Sequence, residues 1–330
     1  MINVKVKEKE KAGRKGVKGK NVNKSRNIDN GGSKIIDESI GADLRAILSK
    51  TSSFFNSSDS YGESDLILLG IPMDYTASNI PGSRFAPKRI RELSYTLENY
   101  SPFFDDYIDE KFYDIGDIVM PWGNTAKSIK FIDETAKSIL SGGKRIVSIG
   151  GDHLITYPIV KQYASKYKDL VVLQFDAHTD LRKEWNNEKY SHATVLKLIH
   201  DIIKKGNLYQ FGIRSGSKEE FDFAEKNCHI YKNDVYEPLK KVMGSLAGKN
   251  VYLTIDIDVL DPAFAPGTGY IEAGGISSKE LFDSVSLLLS EANVVGADVV
   301  EVCPPTDNSD RTSAIAAKLI REIIIGMGRI

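Results

Sequence analysis

Apolar residues along the chain gather into short unbroken runs separated by longer amphipathic stretches. The runs are Leu66–Leu69, Arg145–Ile149, Leu170–Phe175, Leu208–Ile213, Val251–Ile257 and Ala297–Val302. Continuous rather than alternating, they predict strands buried on both faces. Between them, residues 126–140, 192–203, 218–226 and 278–291 carry apolar positions at helical spacing. Strand–helix alternation of this kind predicts an α/β fold of three layers, α/β/α, around a doubly wound parallel sheet. The alternation sets in near Ser64. Upstream, Ile36, Ile40, Leu44 and Leu48 are spaced as on one helix face and predict a docking helix over residues 35–55. No internal repeat and no linker rich in Pro, Gly or Ser divides the pattern, so a single domain is expected.

Charge changes this picture at one end. The 330 residues include 44 Lys+Arg and 45 Asp+Glu, a net charge of -1 that by itself argues against a nucleic-acid binder. Residues 1–26, however, hold eight lysines, Arg14 and Arg26 against Glu8 and Glu10, a local +8 that leaves −9 for residues 27–330. Poor in large apolar residues and ending in Asn-Gly-Gly-Ser at 30–33, this stretch cannot bury enough surface to offset its ordering entropy. A disordered basic tail over 1–33 is therefore expected, followed by the functional domain over 34–330. Nucleic acid or another polyanion stays open as a partner for the tail only, beside a plain solvated extension or a misassigned start codon.

The remaining composition bounds the setting. With 41% hydrophobic and 27% charged residues the chain reads as globular. Two cysteines, Cys228 and Cys303, exclude a disulfide framework and point to a reducing, cytoplasmic compartment. No stretch approaches the roughly 18 apolar residues of a membrane span, and the first 20 residues lack a signal-peptide core, so no membrane association is expected.

Candidate chemistry collects at the carboxyl ends of the apolar runs. Gly150-Gly151-Asp152-His153 follows one, Asp176-Ala177-His178-Thr179-Asp180 a second, and Asp256-Ile257-Asp258 a third. Ligand crevices of open parallel sheets lie at these ends, so the three sets can converge. Along an extended backbone Asp176, His178 and Asp180 face one way, as do Asp256 and Asp258. Unneutralised, four carboxylates side by side would repel one another by several kcal/mol at low effective dielectric, and a bound cation is the simplest remedy. With His153 the set offers six ligands, too many for one tetrahedral zinc but suited to two bridged ions, and its oxygen-rich character favours manganese. Asp152, Asp261 and Asp298 read instead as caps of helices and turns. His200 and His229 carry no evident chemistry, and both cysteines read as small buried hydrophobes.

These motifs resemble those of the ureohydrolase family, the arginase and agmatinase group of binuclear manganese enzymes. The resemblance runs from about Leu66 to the C-terminus and includes Asp-Ile-Asp-Val-Leu-Asp-Pro at 256–262. It is strongest toward archaeal and bacterial agmatinases, through Pro-Gly-Ser-Arg-Phe-Ala-Pro at 81–87, Asp-Leu-Arg at 180–182, Ser-His-Ala-Thr at 191–194 and Gly-Ile-Arg-Ser at 212–215. It implies an arginase/deacetylase-like fold, two manganese ions and a homo-oligomer, trimeric or hexameric. One ion would be held by His153, Asp176, Asp180 and Asp256, the other by His178, Asp176, Asp256 and Asp258. A metal-bridging hydroxide would attack the guanidinium carbon, and collapse would release urea and an amine. Asp180 would carry the proton to the leaving nitrogen, Glu301 would grip the guanidinium, and His192 at the mouth would shuttle protons or donate a hydrogen bond.

A small cationic guanidino substrate follows, with agmatine, giving putrescine for polyamine biosynthesis, as the leading expectation. N1-aminopropylagmatine and arginine are the alternatives. A guanidino-acid hydrolase, a formimidoylglutamase, a zinc deacetylase and an inactive scaffold with a polyanion-binding tail rank below them. Glu184 and Glu188 fall in the loop expected to line the mouth, where acidic groups would suit a second cationic end. Agmatinases usually read Gly-Thr-Gly-Thr-Pro-Glu-Pro-Gly-Gly where this chain has Gly-Thr-Gly-Tyr-Ile-Glu-Ala-Gly-Gly at 267–275, which makes Tyr270 the open question of the pocket wall.

Overall fold

The computed structural model describes residues 36–108 and 112–329. In chain order the strands are β1 (Leu48–Ser49), β2 (Leu66–Ile71), β3 (Tyr100–Ser101), β4 (Asp106–Tyr107), β5 (Phe112–Ile118) and β6 (Arg145–Gly150). They continue with β7 (Val171–Phe175), β8 (Leu208–Ile213), β9 (His229–Lys232), β10 (Asn250–Asp256) and β11 (Asn293–Val300). The α-helices are α1 (Ala42–Arg45), α2 (Ala86–Ser94), α3 (Thr125–Ser141), α4 (Thr156–Lys166), α5 (Val195–His200), α6 (Lys218–Asn227), α7 (Tyr236–Leu246), α8 (Ser278–Glu291) and α9 (Arg311–Gly328). The basic tail expected over 1–33 lies outside the described residues.

Among the described residues nine strands form one sheet in the order β1-β5-β2-β6-β11-β10-β7-β8-β9, and β3 pairs with β4 in a separate ribbon. Every pairing in the large sheet is parallel except that of β1 on β5. Alternate residues of each strand enter different cores: Leu66 and Leu68 pack on one face of the sheet, Ile67 and Leu69 on the other. Helices α2, α7, α8 and α9 cover the first face, and α3, α4, α5 and α6 the second. The three-layer expectation therefore stands. The chain leaves a gap for two strands between β6 and β7, and the later β10 and β11 fill it. That brings the carboxyl ends of β6, β11, β10 and β7 into one row, where a ligand crevice belongs.

Several expectations need correction. The helix expected over 35–55 is not formed by its described residues 36–55: only Ala42–Arg45 is α-helical there, and Leu48 pairs with Ile118 in the antiparallel edge strand β1. Ile40, Leu44 and Leu48 are buried all the same, so the apolar spacing marked contact with the core rather than a helix. Strand β5 was invisible to an apolar-run criterion because Asp114, Gly116 and Asp117 interrupt it. Arg91 of α2 donates to Asp114 at 2.7 and 3.0 Å and to Asp117 at 2.5 Å, satisfying those carboxylates inside the fold. Among the described residues no helix is long and apolar enough to cross a membrane.

Candidate metal centre

Each candidate ligand sits just past a strand end, and local chemistry holds it there. Beyond β6, Asp152 caps a 3-10 turn, accepting the Leu154 N–H at 3.2 Å, and this starts His153 inward. Gly151 is required at that corner because a Cβ would lie 1.8 Å from the Met73 carbonyl oxygen. Beyond β7, residues 176–180 are not strand, and the chain turns at Asp180 with φ of +50°. Same-face alternation along an extended backbone is thus not what gathers Asp176, His178 and Asp180. Two buried glutamines do part of that work. Gln174 Nε2 donates to Asp176 at 2.6 Å and to the His178 carbonyl at 3.1 Å, while Gln210 Nε2 donates to Gln174 at 2.6 Å and to the Thr179 carbonyl at 2.8 Å. Beyond β10, Asp256 accepts the Asp258 N–H at 2.9 Å, and Asp258 accepts the Ala177 N–H at 3.0 Å.

The six expected ligands converge. His153 Nδ1 stands 3.2 Å from Asp176 Oδ2, 3.2 Å from Asp180 Oδ2 and 3.5 Å from Asp256 Oδ2. His178 Nδ1 stands 2.9 Å from Asp258 Oδ2 and 3.6 Å from Asp176 Oδ1. Asp176 therefore turns one oxygen to each imidazole. Two groups have ligand atoms close enough to share a cation: His153 with Asp176 and Asp256, and His178 with Asp176 and Asp258.

The donor chemistry fits a metal pair. His153 Nδ1 is fully buried beside three carboxylates, yet is out of line for a hydrogen bond with any of them. Its other nitrogen, Nε2, lies 2.9 Å from Thr254 Oγ1, and Thr254 spends its only proton on Asp298 Oδ1 at 2.6 Å. The hydroxyl can then only accept, so Nε2 carries a proton. Burial opposes charge on this ring, but Asp176, Asp180 and Asp256 outweigh it and drive the imidazole well up, and a cation that displaced the resulting proton would find the Nδ1 lone pair aimed at it. Asp298 is no cap: it also accepts from Tyr252 Oη at 2.6 Å.

Electrostatics agree. Burial, with the charges of Asp258 and Asp176 next, pushes Asp256 well above the usual carboxylate range. Burial and Asp176 push Asp180 up to about 6. Burial opposes charge on His178 too, but Asp258 and Asp176 outweigh it and drive that imidazole well up. These are the responses of a cluster that gains protons when no cation neutralises it.

Beside the candidate ligands lies a cavity of about 280 Å³ lined by His178, Asp180, Asp256, Asp258 and Glu301 on its floor and by Asn79, Ile80, Arg182, Trp185, His192, Glu220 and Tyr270 among its walls. Glu301 directly follows β11 with φ of +60°, a left-handed conformation uncommon for a non-glycine residue. Burial and then Asp152 push its carboxyl well above the usual range. Burial drives His192 down to about 4, so its imidazole is neutral.

The mouth departs from expectation. Glu184 and Glu188 are exposed and are not part of the lining. Glu220 is the acidic wall residue instead, and it is already engaged by Thr179 Oγ1 at 2.8 Å, the Ser217 N–H at 2.9 Å and Arg182 Nε at 3.5 Å. The Arg182 guanidinium lies over the Trp185 ring, 4.3 Å from its centroid. Tyr270 does line the cavity, with its ring edge-to-face against His178 at 5.5 Å. Asp261 behaves as a turn cap, accepting from the N–H groups of Ala263, Gly274 and Gly275 and so anchoring the loop that carries Tyr270. Sequence reasoning missed Gln174, Gln210, Thr254 and Thr76; the available signal was a polar residue inside, or just past, an otherwise apolar run.

The Arginase family matches residues 64–326. The agmatinase of Bacillus subtilis (strain 168) is 52% identical over 276 residues, spanning 83% of this chain and 95% of that protein. The agmatinase of Bacillus anthracis is 51% identical over the same shares. The solved structure of the agmatine ureohydrolase of Thermoplasma volcanium superposes with a TM-score of 0.77 at 30% identity, covering 88% of this chain and 98% of that one.

Proposed function

The chain belongs to the arginase family of ureohydrolases, and we propose on that premise that it hydrolyses agmatine to putrescine and urea. The observation that carries this reading is the division of Asp176 between two imidazoles, Oδ2 toward His153 and Oδ1 toward His178, beneath a cavity floored by Glu301. His153, Asp176, Asp180 and Asp256 would hold one ion, and His178, Asp176, Asp256 and Asp258 the other. Two divalent ions bound there, manganese for so oxygen-rich a set, would supply Lewis acidity and would acidify water at neutral pH.

The remaining work falls to the chain's own groups. Glu301 is half-buried in the cavity lining and presents its carboxylate to a planar cation with several N–H donors, which fixes the guanidinium carbon above the ligand cluster. Asp180 shares that floor and carries a proton from the nucleophile to the leaving nitrogen. His192, neutral at the mouth, exchanges a hydrogen bond or a proton with the departing amine. For the tail, the agmatinase relatives and a mouth walled by Trp185 and Tyr270 support an alkylamine.

Both cysteines are unpaired, which supports a reducing cytoplasmic setting. The family resemblance supports a homo-oligomer, and Trp122, 94% exposed beside exposed Val119, is a surface such an assembly would cover. The ligands and Glu301 all lie between residues 153 and 301, which supports placing the catalytic domain over 34–330; deleting residues 1–33 should leave turnover unchanged.

The reading is tested by loading the protein with manganese and offering agmatine, N1-aminopropylagmatine, arginine, guanidinobutyrate and formimidoylglutamate while urea and formamide are measured. Urea with agmatine preferred over the other compounds is expected. Urea from none of them overturns the assignment, and preference for another compound replaces the substrate.

A further inference from the structure

Thr76 sits in the loop after β2, yet its contacts are with the two loops that carry site residues. Its N–H and its Oγ1 both donate to Asp152 Oδ2, at 3.1 and 3.0 Å. Its Oγ1 accepts the backbone N–H of His192 at 3.0 Å, across 116 residues of sequence. The same oxygen lies 3.5 Å from His192 Nδ1, on the flank of that ring where Ser191 Oγ lies 3.2 Å away. Asp152 is fully buried, caps the turn that begins with His153, and donates its own N–H to the Met73 carbonyl at 2.6 Å. One hydroxyl thus joins the exits of β2, β6 and β7.

A threonine hydroxyl has one proton and two lone pairs. With the proton given to Asp152, Oγ1 faces His192 only as an acceptor, first for the backbone N–H and then at the ring edge. His192 opens a 3-10 turn beside the cavity, and among the described residues its Nε2, the nitrogen left for the cavity, makes no hydrogen bond. Its imidazole is therefore aimed by what grips its backbone and its Nδ1 side, and both grips include Thr76.

We propose that Thr76 is a positioning residue for His192, anchored by Asp152, and that it acts on the reaction only through that imidazole. The proposal rests on the reading of His192 as the residue that serves the leaving amine. Removing the hydroxyl while keeping the shape, as in Thr76→Val, frees the His192 backbone N–H and lets the ring drift, and misplacement on the ångström scale costs a catalytic group about 10²-fold.

The test uses full-length manganese-loaded protein with agmatine and compares wild type, Thr76→Val, Thr76→Ser, His192→Ala and the Thr76→Val/His192→Ala double variant. Thr76→Val should lower kcat roughly ten- to a hundredfold with KM within about threefold, and Thr76→Ser should restore it to within about threefold. In the His192→Ala background Thr76→Val should have no further effect. A second readout does not depend on turnover. With magnesium in place of manganese, a histidine ring spectrum of the chain's five histidines should show the His192 signal displaced in Thr76→Val, restored in Thr76→Ser, and those of His200 and His229 unmoved. A Thr76→Val loss of the same size with His192 already removed, or an undisplaced His192 signal, overturns the proposal. Wild type that releases no urea from any guanidino compound overturns the hydrolase reading instead, and the ring spectrum still decides whether Thr76 holds His192.

Discussion

Glu301 Oε1 accepts the backbone N–H of His153 at 2.8 Å, bridging the ends of β11 and β6. The residue that would bind the substrate cation is thereby tied to the backbone of a metal-ligand candidate. Its left-handed backbone, φ of +60°, is held by a second bond in which the Glu301 N–H donates to the Gly151 carbonyl at 2.9 Å.

Replacing that carboxylate separates its two roles. In Glu301→Gln the amide oxygen can still accept the His153 N–H, so folding and metal content should be preserved. The charge for the guanidinium is lost, and kcat/KM should fall about 10²- to 10³-fold, as for truncation of one partner in a buried charge pair. Steady-state kinetics with agmatine would decide it, and a change under about threefold would reduce Glu301 to a rim residue.

Metal affinity should depend on a hydroxyl that touches no metal. Thr254→Val removes the acceptor that keeps the proton on His153 Nε2, so manganese affinity should drop about 10- to 100-fold, with Thr254→Ser close to wild type. Competition titration against a chelator measures this without reference to turnover. Asp176→Asn and Asp256→Asn, by contrast, should each lower the bound stoichiometry below two ions; full occupancy and full activity in either would refute a bridging role.

The substrate tail should feel Tyr270. A cation against an aromatic face is worth about 1 kcal/mol at an exposed site, so Tyr270→Ala should raise the KM for agmatine roughly fivefold and leave kcat within about threefold. Tyr270→Phe should match wild type. Butylguanidine, which lacks the terminal amine, should be nearly indifferent to the change, and an equal effect on both compounds would assign Tyr270 to shape alone.

Stability should fail in acid through a group far from the ligands. Burial alone would raise the Asp114 carboxyl, but Arg91 overrides it and holds it below the usual range. The unfolded chain, with an ordinary aspartate near 3.9, then takes up the proton first as pH falls. The contribution of the pair is complete above roughly pH 5 and is lost as pH drops through about 4 and below. Arg91→Met would strand a buried carboxylate and cost about 3–5 kcal/mol at neutral pH. Equilibrium denaturation between pH 3 and 7 should show both the loss and a weakened acid slope in the variant.

Much of the centre was legible before any coordinates. The ligand motifs follow their strands within a few residues, so recognising six apolar runs was enough to bring their ends together. What escaped were elements whose apolar pattern is broken by groups with distant partners. Strand β5 looked polar because Asp114 and Asp117 wait for Arg91 of α2, and residues 35–55 looked helical because Ile40, Leu44 and Leu48 reach the core from a chain that is mostly irregular. Glu184 illustrates the opposite error: a charge near the motif proved exposed, while Glu220, some forty residues on, became the acidic wall.

By itself, then, the sequence determined the fold class and which four carboxylates and two imidazoles converge, because strand patterning and the motifs that follow each strand are both local properties. Only the tertiary structure decided which oxygen of Asp176 meets which imidazole, which nitrogen of His153 faces the carboxylates, and which hydroxyl aims His192. Those outcomes depend on β10 and β11 entering the gap between β6 and β7, and on loops separated by 76 to 116 residues meeting at one or two hydrogen bonds. Contacts of that kind leave no periodic trace in the chain, since each is set by one partner at an arbitrary distance along it.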